Sequence, residues 1–395
     1  MKLLWVKADF LHPLDRGGQI RTFETLRRLH KRHEVHYVGM RQSPEDPGPA
    51  LAYEYSTRAY AVDHFVVDKS SAAFAAQVAR GVFDRTPVAV SRYRSTEMQA
   101  RVDALIEREN FDRIVCDFLF GAANVVDLTP VTLFQHNVEA LIWKRRAQAE
   151  RNPLKRLYLQ LQASRMERFE GEVCRSVRNI IAVSEKDASI MHREYEAPNV
   201  NAIPTGVDVD YFRRPQAVER KADLVFVGSM DWMPNIDGAL WFVKEALPLI
   251  RERVPDCTLA IAGRRPTPEL EELASRDSKI VVTGSVPDIR PWLWGSKVSI
   301  VPLRVGGGTR IKIYEAMAAG VPVVSTRVGA EGLDVANGHT ILLEDDPERF
   351  ARACAALLLN KDEAARIAGA ALEVVTRRYS WDNVARAFER LLERR

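Results

Sequence analysis

A chain of 395 residues exceeds the roughly 250–300 residues at which a single hydrophobic core stops growing, so two domains are expected. Hydrophobic residues make up 46% and charged residues 28%, a globular balance that excludes disorder or a fibre as the main theme. The net charge of +4 is too small to call for nucleic acid as a partner.

The opening MKLLWVK places Lys7 after only four apolar residues, far short of the apolar stretch of about 7–15 residues in a secretory signal. No run approaches the roughly 20 apolar residues of a spanning helix, so a cytoplasmic protein is expected. Cys116, Cys174, Cys257 and Cys354 stand far apart without a C-x-x-C pair. That spacing argues against a zinc site or a disulfide framework and for buried, reduced thiols.

Short aliphatic runs recur, each followed by a polar or glycine-containing turn and a segment of helical period, the pattern of parallel βα units. In the first half the expected strands are Leu3–Lys7, Glu34–Gly39, His64–Asp68, Arg113–Phe118, Val131–His136 and Asn179–Ser184. PEDPGPA, from Pro44 to Ala50, reads as a surface loop. His136 ends a strand and is followed by Asn137 and Glu139. A lone histidine in such a place is either a satisfied structural residue or a catalytic one.

Basic charge gathers in the segment from Trp143 to Val173, where Lys144 to Arg168 hold eight basic residues against two acidic ones. Leu154, Leu157, Tyr158, Leu161, Met166, Phe169 and Val173 fall near helical spacing, so one amphipathic basic helix is expected. It is either a core-facing stripe with a solvated outer face or, over residues 144–173, a surface that docks on anionic lipid.

Pro204, Gly206 and Pro215 punctuate a polar stretch, placing a linker at about residues 205–222. Asp208-Val209-Asp210 has a metal-binding D-x-D form, but aspartates are ordinary turn residues and this turn lies in the linker. It reads as structural, and no metal is expected. The second half repeats the strand pattern at Leu224–Ser229, Thr258–Gly263, Ile280–Ser285, Val298–Leu303, Val321–Thr326 and Thr340–Glu344.

The strongest local signal is VPLRVGGGTRIKIYEAMAAG, a strand running through Gly306, Gly307 and Gly308 into a helix. Glycines let a backbone approach an anion and turn N–H groups toward it. Thr309 is placed to cap the helix, whose start favours phosphate. Arg310 and Lys312 add two cations, and Glu315 follows. The segment reads as a diphosphate cradle; a tight turn before a solvated basic helix is the other reading. Residues two apart on a regular helix do not share a face, so both cations reach one phosphate only from an irregular first turn. Trp292 and Trp294 are expected to pack between helix and sheet, and RYSWDNVARAFERLLERR closes the chain as an amphipathic helix with Val384, Phe388, Leu391 and Leu392 on one side.

The expected organisation is α/β, with two Rossmann-like doubly wound domains facing a central cleft: residues 1–205, residues 206–378, and a final helix over 379–395. Here DRGGQIRTFETLRRLHKRHEVHYVG, FQHNVEA, IAVSEKD, IPTGVDVDYF, FVGSMDWMPNIDGALWFV, IAG, VTGSVPDI and the glycine-rich segment occur in an order and spacing that resemble a retaining glycosyltransferase of family 4, on the GT-B fold. The resemblance implies a nucleotide-diphosphate sugar as donor substrate, no cofactor, an acceptor bound by the first domain and a closing helix that crosses back onto it. The acceptor is a glycan, a lipid-linked group or another hydroxyl.

It also implies roles. Glu315 matches the second glutamate of the family's E-x7-E motif and hydrogen-bonds the donor ribose, while Gly307 stands where the first glutamate would be. The common cation pair after the first strand of the second domain is missing from FVGSMDWMP, which leaves Arg310 and Lys312 to replace it at the diphosphate. Gly17 and Gly18 match the glycine loop over the donor phosphate, flanked by Arg16 and Arg21; an ordinary βα turn is the plain alternative. Gly228 matches a close backbone approach, and Val286 the loop that meets the base. His136 matches a histidine touching the transferred sugar, with Asn137 or Glu139 orienting the ring or the acceptor. Other readings are a nucleotide-sugar epimerase or hydrolase on the same fold, or an inactive nucleotide-binding scaffold, which the missing glutamate favours.

Overall fold

A computed structural model describes residues 1–14, 17–65, 86–305 and 310–394. Its contacts separate two units, Met1–Pro204 with Val384–Arg395, and Thr205–Asn383. The first unit is a seven-stranded sheet of β1 (Lys2–Lys7), β2 (Glu34–Arg41), β3 (Arg58–Asp63), β4 (Arg113–Asp117), β5 (Val131–Gln135), β6 (Asn179–Ala182) and β7 (Val200–Ala202), in the order β3-β2-β1-β4-β5-β6-β7. Neighbours are parallel throughout. β1, β4 and β5 are buried along nearly their whole length, as strands covered on both faces must be. The order reverses between β1 and β4, where the register sets Lys7 beside Asp117.

Two edge strands depart from expectation. The strand expected at His64–Asp68 lies earlier, as β3, and residues 66–68 fall outside the described residues. β3 has only Val62 buried, and an edge strand with so little covered surface need not carry the apolar run that marked HFVV. The three-residue β7 was not expected, for the same reason.

The basic segment is two helices, Glu139–Ala149 and Pro153–Ser176. Pro153 cannot continue the first, and the Asn152 side chain caps the second by accepting from the N–H groups of Leu154 and Lys155, a strong start signal. The core-facing stripe holds only from Gln162 onward. Leu154, Leu157 and Leu161 are 79%, 65% and 37% exposed. Among the described residues no helix is long and apolar enough to cross a membrane.

The final helix runs Trp381–Glu393, and the division between units falls inside it, before Val384. Val384, Phe388 and Leu392 are buried, with the Phe388 ring 5.6 Å from Trp5 and 5.0 Å from Phe134. Glu389 meets Arg32 and His33, each at 2.6 Å.

The second unit carries β8 (Ala222–Val227), β9 (Leu259–Ala262), β10 (Ile280–Val282), β11 (Ser296–Val301), β12 (Val323–Ser325) and β13 (Leu342–Leu343), ordered β10-β9-β8-β11-β12-β13 and parallel. Its order reverses between β8 and β11. Gly263, at φ +157°, lets the end of β9 touch that of β8, since a Cβ there would lie 1.7 Å from the Gly228 carbonyl oxygen. In the linker, Asp208 accepts from the Tyr211 N–H and Asp210 pairs with Arg213, so the D-x-D aspartates take part in local turn contacts. Trp292 and Trp294 pack on the core, and all four cysteines are buried and free.

Candidate active site

Open α/β sheets bind ligands beyond the carboxyl ends of their strands where strand order reverses. In the first unit that place is built from Lys7 at the end of β1, Asp117 at the end of β4 and His136 just after β5. Asp117 is fully buried and is the hub. Its Oδ1 accepts from Lys7 Nζ at 3.0 Å and lies 3.0 Å from His136 Nε2; its Oδ2 accepts from Trp5 Nε1 at 3.1 Å and Thr22 Oγ1 at 2.6 Å.

Burial by itself would raise the Asp117 carboxyl, but Lys7 and His136 overrule it and hold it well below the usual carboxylate range. Burial likewise works to lower Lys7, yet Asp117 and Asp9 carry it above its ordinary value. For His136 burial wins, pushing the imidazole below its ordinary pKa despite the pull of Asp117, so the ring is neutral at pH 7. With Nε2 facing a carboxylate, the neutral ring keeps its proton there and leaves Nδ1 as an acceptor. Nδ1 has no hydrogen-bond partner among the described residues.

Phe118 stacks on His136 with centroids 4.3 Å apart and sits under Lys7 at 4.9 Å. Its φ of 68° is unusual for a bulky residue and costs about 1–3 kcal/mol, which the stack and the cation help to offset. Gly17 and Gly18 are the first residues of the helix Gly17–Leu29. A Cβ on Gly18 would come within 3.3 Å of the Phe118 ring and 3.6 Å of His136 Nδ1. Arg21 is buried, its pKa lowered to about 10 by desolvation; it is not a surface arginine. Arg16 lies outside the described residues.

Glu139 opens the helix after His136, and the groups that act on it are Glu170, Asn137 and Arg146 rather than the imidazole. Burial and then Glu170 raise its pKa to about 7. Glu170, buried on the Pro153–Ser176 helix, accepts from Gln135 Nε2, the N–H groups of Glu139 and Ala140, and the Tyr195 hydroxyl at 2.9–3.0 Å. It thereby satisfies the start of the Glu139–Ala149 helix and anchors the chain around His136.

In the second unit two helices begin together, Met233–Trp241 after β8 and Ile311–Ala318 after β11. Lys312 Nζ donates to Asn235 Oδ1 at 2.9 Å, and Asn235 Nδ2 donates to the Ser229 carbonyl at 2.8 Å. Gly228 is required here, because a Cβ would stand 2.8 Å from Lys312 Nζ and 2.7 Å from Asn235 Nδ2. Burial lowers the Lys312 pKa to about 7. It raises Glu315, one helical turn on, to about 7 against the pull of Lys312.

Gly306, Gly307, Gly308 and Thr309 lie outside the described residues. The helix they precede has Arg310 at its N-cap position, in a non-helical conformation. Because Arg310 is outside the regular turn, the divergence of positions two apart on a helix does not bind it. Its guanidinium stands 5.3 Å over the Trp232 ring. Val286 is half-buried in the loop beyond β10.

Sequence reasoning named His136, Gly228, Lys312 and Glu315 but missed Lys7, Thr22, Asp117, Glu170 and Asn235. A signal existed for two of them: KLLWVK and RIVCD are apolar strands that each end on a charge.

Two family profiles match the chain in succession: Glycosyltransferase Family 4 over residues 16–211 and Glycosyl transferases group 1 over residues 221–360. A GDP-mannose-dependent alpha-(1-6)-phosphatidylinositol monomannoside mannosyltransferase of Mycobacterium tuberculosis is 31% identical over 211 residues, which are 48% of this chain and 54% of that protein. The matched regions span about half to two thirds of the length of the curated relatives. Among solved structures, WaaG, a glycosyltransferase involved in lipopolysaccharide biosynthesis, superposes with a TM-score of 0.61 at 15% identity, covering 100% of both chains. The Anabaena protein HepE in complex with UDP-glucose does so with a TM-score of 0.60 at 13% identity, covering 99% of both. These likenesses establish the GT-B fold.

Proposed function

The chain belongs to the family 4 glycosyltransferases, and from that premise we propose that it transfers a sugar from a nucleotide-diphosphate sugar to a hydroxyl acceptor. The observation that carries this is Lys312, half-buried between Gly228 and Asn235 where two helices start, with no carboxylate at ion-pair distance among the described residues. Helix starts and a desolvated cation attract a diphosphate. The GDP-mannose-dependent relative and the UDP-glucose complex of a fold neighbour support a nucleotide sugar without fixing the base. Arg310 joins Lys312 at the phosphates, and Glu315 takes the ribose hydroxyls.

Transfer proceeds with retention of configuration. Lys312, Arg310 and the helix starts stabilise the departing diphosphate, the role a metal plays in other enzymes. His136, held neutral beside Asp117, accepts a hydrogen bond at Nδ1 from the reacting sugar. A thermal-shift panel of nucleotides and nucleotide sugars tests the donor, since a ligand stabilises by RT ln(1 + [L]/Kd); no shift with any member rejects it. NMR of the product's anomeric signal tests retention, and undiminished turnover in chelator tests metal independence.

The acceptor reaches the enzyme at a membrane surface, on its cytoplasmic face. Exposed Leu154, Leu157 and Leu161 stand among Arg145, Arg146, Arg151, Lys155 and Arg156, the composition of a helix that lies in an anionic interface. Binding to phosphatidylglycerol liposomes should fall with salt and with Leu154→Ser/Leu157→Ser. Absence of binding at low salt rejects this part.

A further inference from the structure

A cavity of about 400 Å3 lies within the second unit, inside the range of roughly 300–1,000 Å3 typical of small-molecule pockets. Its floor is the far end of the Ile311–Ala318 helix, at Ala318, Ala319 and Gly320. That helix starts beyond the carboxyl end of β11 and leads into the parallel strand β12, so its end lies toward the amino ends of the strands. At about 1.5 Å per residue, Ala319 stands roughly 10 Å along the axis from Lys312. The cavity is therefore separate from the donor cluster.

The fold holds it open. Gly320, at φ +68°, ends the helix by donating its N–H to the Met317 carbonyl, while the Val321 N–H donates to the Ala316 carbonyl, both at 3.0 Å. This glycine-terminated end satisfies two of the last carbonyls, and the two alanines before it have no side chain long enough to fill the space. The linker turn forms a second wall. It is fixed by the Val207 N–H, which donates to the Tyr379 carbonyl at 2.7 Å, and by Asp208, which accepts from the Tyr211 N–H at 2.9 Å.

The lining is aliphatic, with Val209 and the 38% exposed Leu372 facing the alanines, and no aromatic ring or carboxylate belongs to it. An alkyl chain suits such a surface better than a base or sugar, which would look for an aromatic face. Two arginines complete the lining, and they differ. Arg213 pairs with Asp210, whereas Arg214 has no hydrogen bond or ion pair among the described residues. The helix end is a negative pole and repels an anion, so a charged head belongs at Arg214 and the chain over the alanines.

We propose that this cavity is a second ligand site, for an alkyl monoanion of the medium-chain carboxylate type. The inference goes beyond the transferase reading and does not depend on it. Saturation-transfer NMR on the full chain would compare octanoate, which has both chain and charge, with 1-octanol, which lacks the charge, and acetate, which lacks the chain.

Octanoate should be saturated at least fivefold more strongly than either, and excess nucleoside diphosphate should leave its signal in place. Arg214→Gln and Leu372→Asp, both at exposed positions and checked for native melting, should each weaken octanoate binding roughly tenfold, the scale of one hydrogen bond to a charged group. Leu154→Ser/Leu157→Ser should not change it, which separates this cavity from the exposed leucines of the first unit. No saturation of octanoate, equal saturation of 1-octanol or acetate, displacement by the nucleotide, signals unchanged in Arg214→Gln and Leu372→Asp, or loss in the leucine variant would overturn the proposal.

Discussion

The two units share a topology and differ in how the reversal point is charged. In the first, Asp117 is matched by Lys7, Thr22, Trp5 and His136, and its charge is fully compensated inside the protein. In the second, half-buried Lys312 meets a neutral amide and half-buried Glu315 has no cation at ion-pair distance among the described residues, so desolvation pushes each toward neutrality. A compensated cluster serves as a fixed frame. An uncompensated one stores an unmet demand for charge, which an incoming anion can satisfy.

That contrast breaks most visibly in stability. Asp117→Ala should destabilise the protein by about 3 kcal/mol, because buried Lys7 loses its nearer carboxylate and keeps only Asp9 at 3.7 Å. Lys312→Ala should leave stability unchanged or raise it, since it removes a desolvated cation. Equal losses in denaturant midpoint would show that the two clusters do not differ in this way.

Ligand binding should reverse the ranking. Lys312→Ala is expected to weaken nucleoside diphosphate binding roughly 10- to 100-fold by calorimetry, the worth of a hydrogen bond to a charged group. Gly228→Ala is a finer probe. Its methyl group would crowd Lys312 Nζ, and a displaced ammonium should weaken binding by roughly tenfold. An unaffected Gly228→Ala would mean that Lys312 has another route to the ligand.

The smallest expected effect is in protons. Free Lys312 has its pKa lowered to about 7 by burial. A bound diphosphate favours the ammonium and raises that pKa, so above pH 7 binding takes up a proton and affinity falls as pH rises. Calorimetry at pH 8 in buffers of different ionisation enthalpy should give a net uptake that Lys312→Ala removes. Release, or no exchange, counts against a neutralised lysine.

How much of this was legible in the sequence follows from distance along the chain. Arg310, Lys312 and Glu315 sit within six residues, so their grouping could be read directly, and the alternating strands and helices announced two parallel sheets. The Asp117 network joins Trp5, Lys7 and Thr22 to residues about a hundred positions away, and only strand order brings them together. Periodicity gave the apolar positions of the Pro153–Ser176 helix but not their fate. Leu154 and Met166 look alike in spacing, yet the first is exposed and the second buried, because covering depends on what packs against each turn. β3 was misplaced because an edge strand needs little apolar surface.

The most direct test of the account is release of nucleoside diphosphate from a panel of nucleotide sugars, with and without a hydroxyl acceptor, by the wild-type chain and by Lys312→Ala. The account predicts release that requires the acceptor and is lost in the variant. Release that ignores the acceptor, or that survives loss of Lys312, would contradict it.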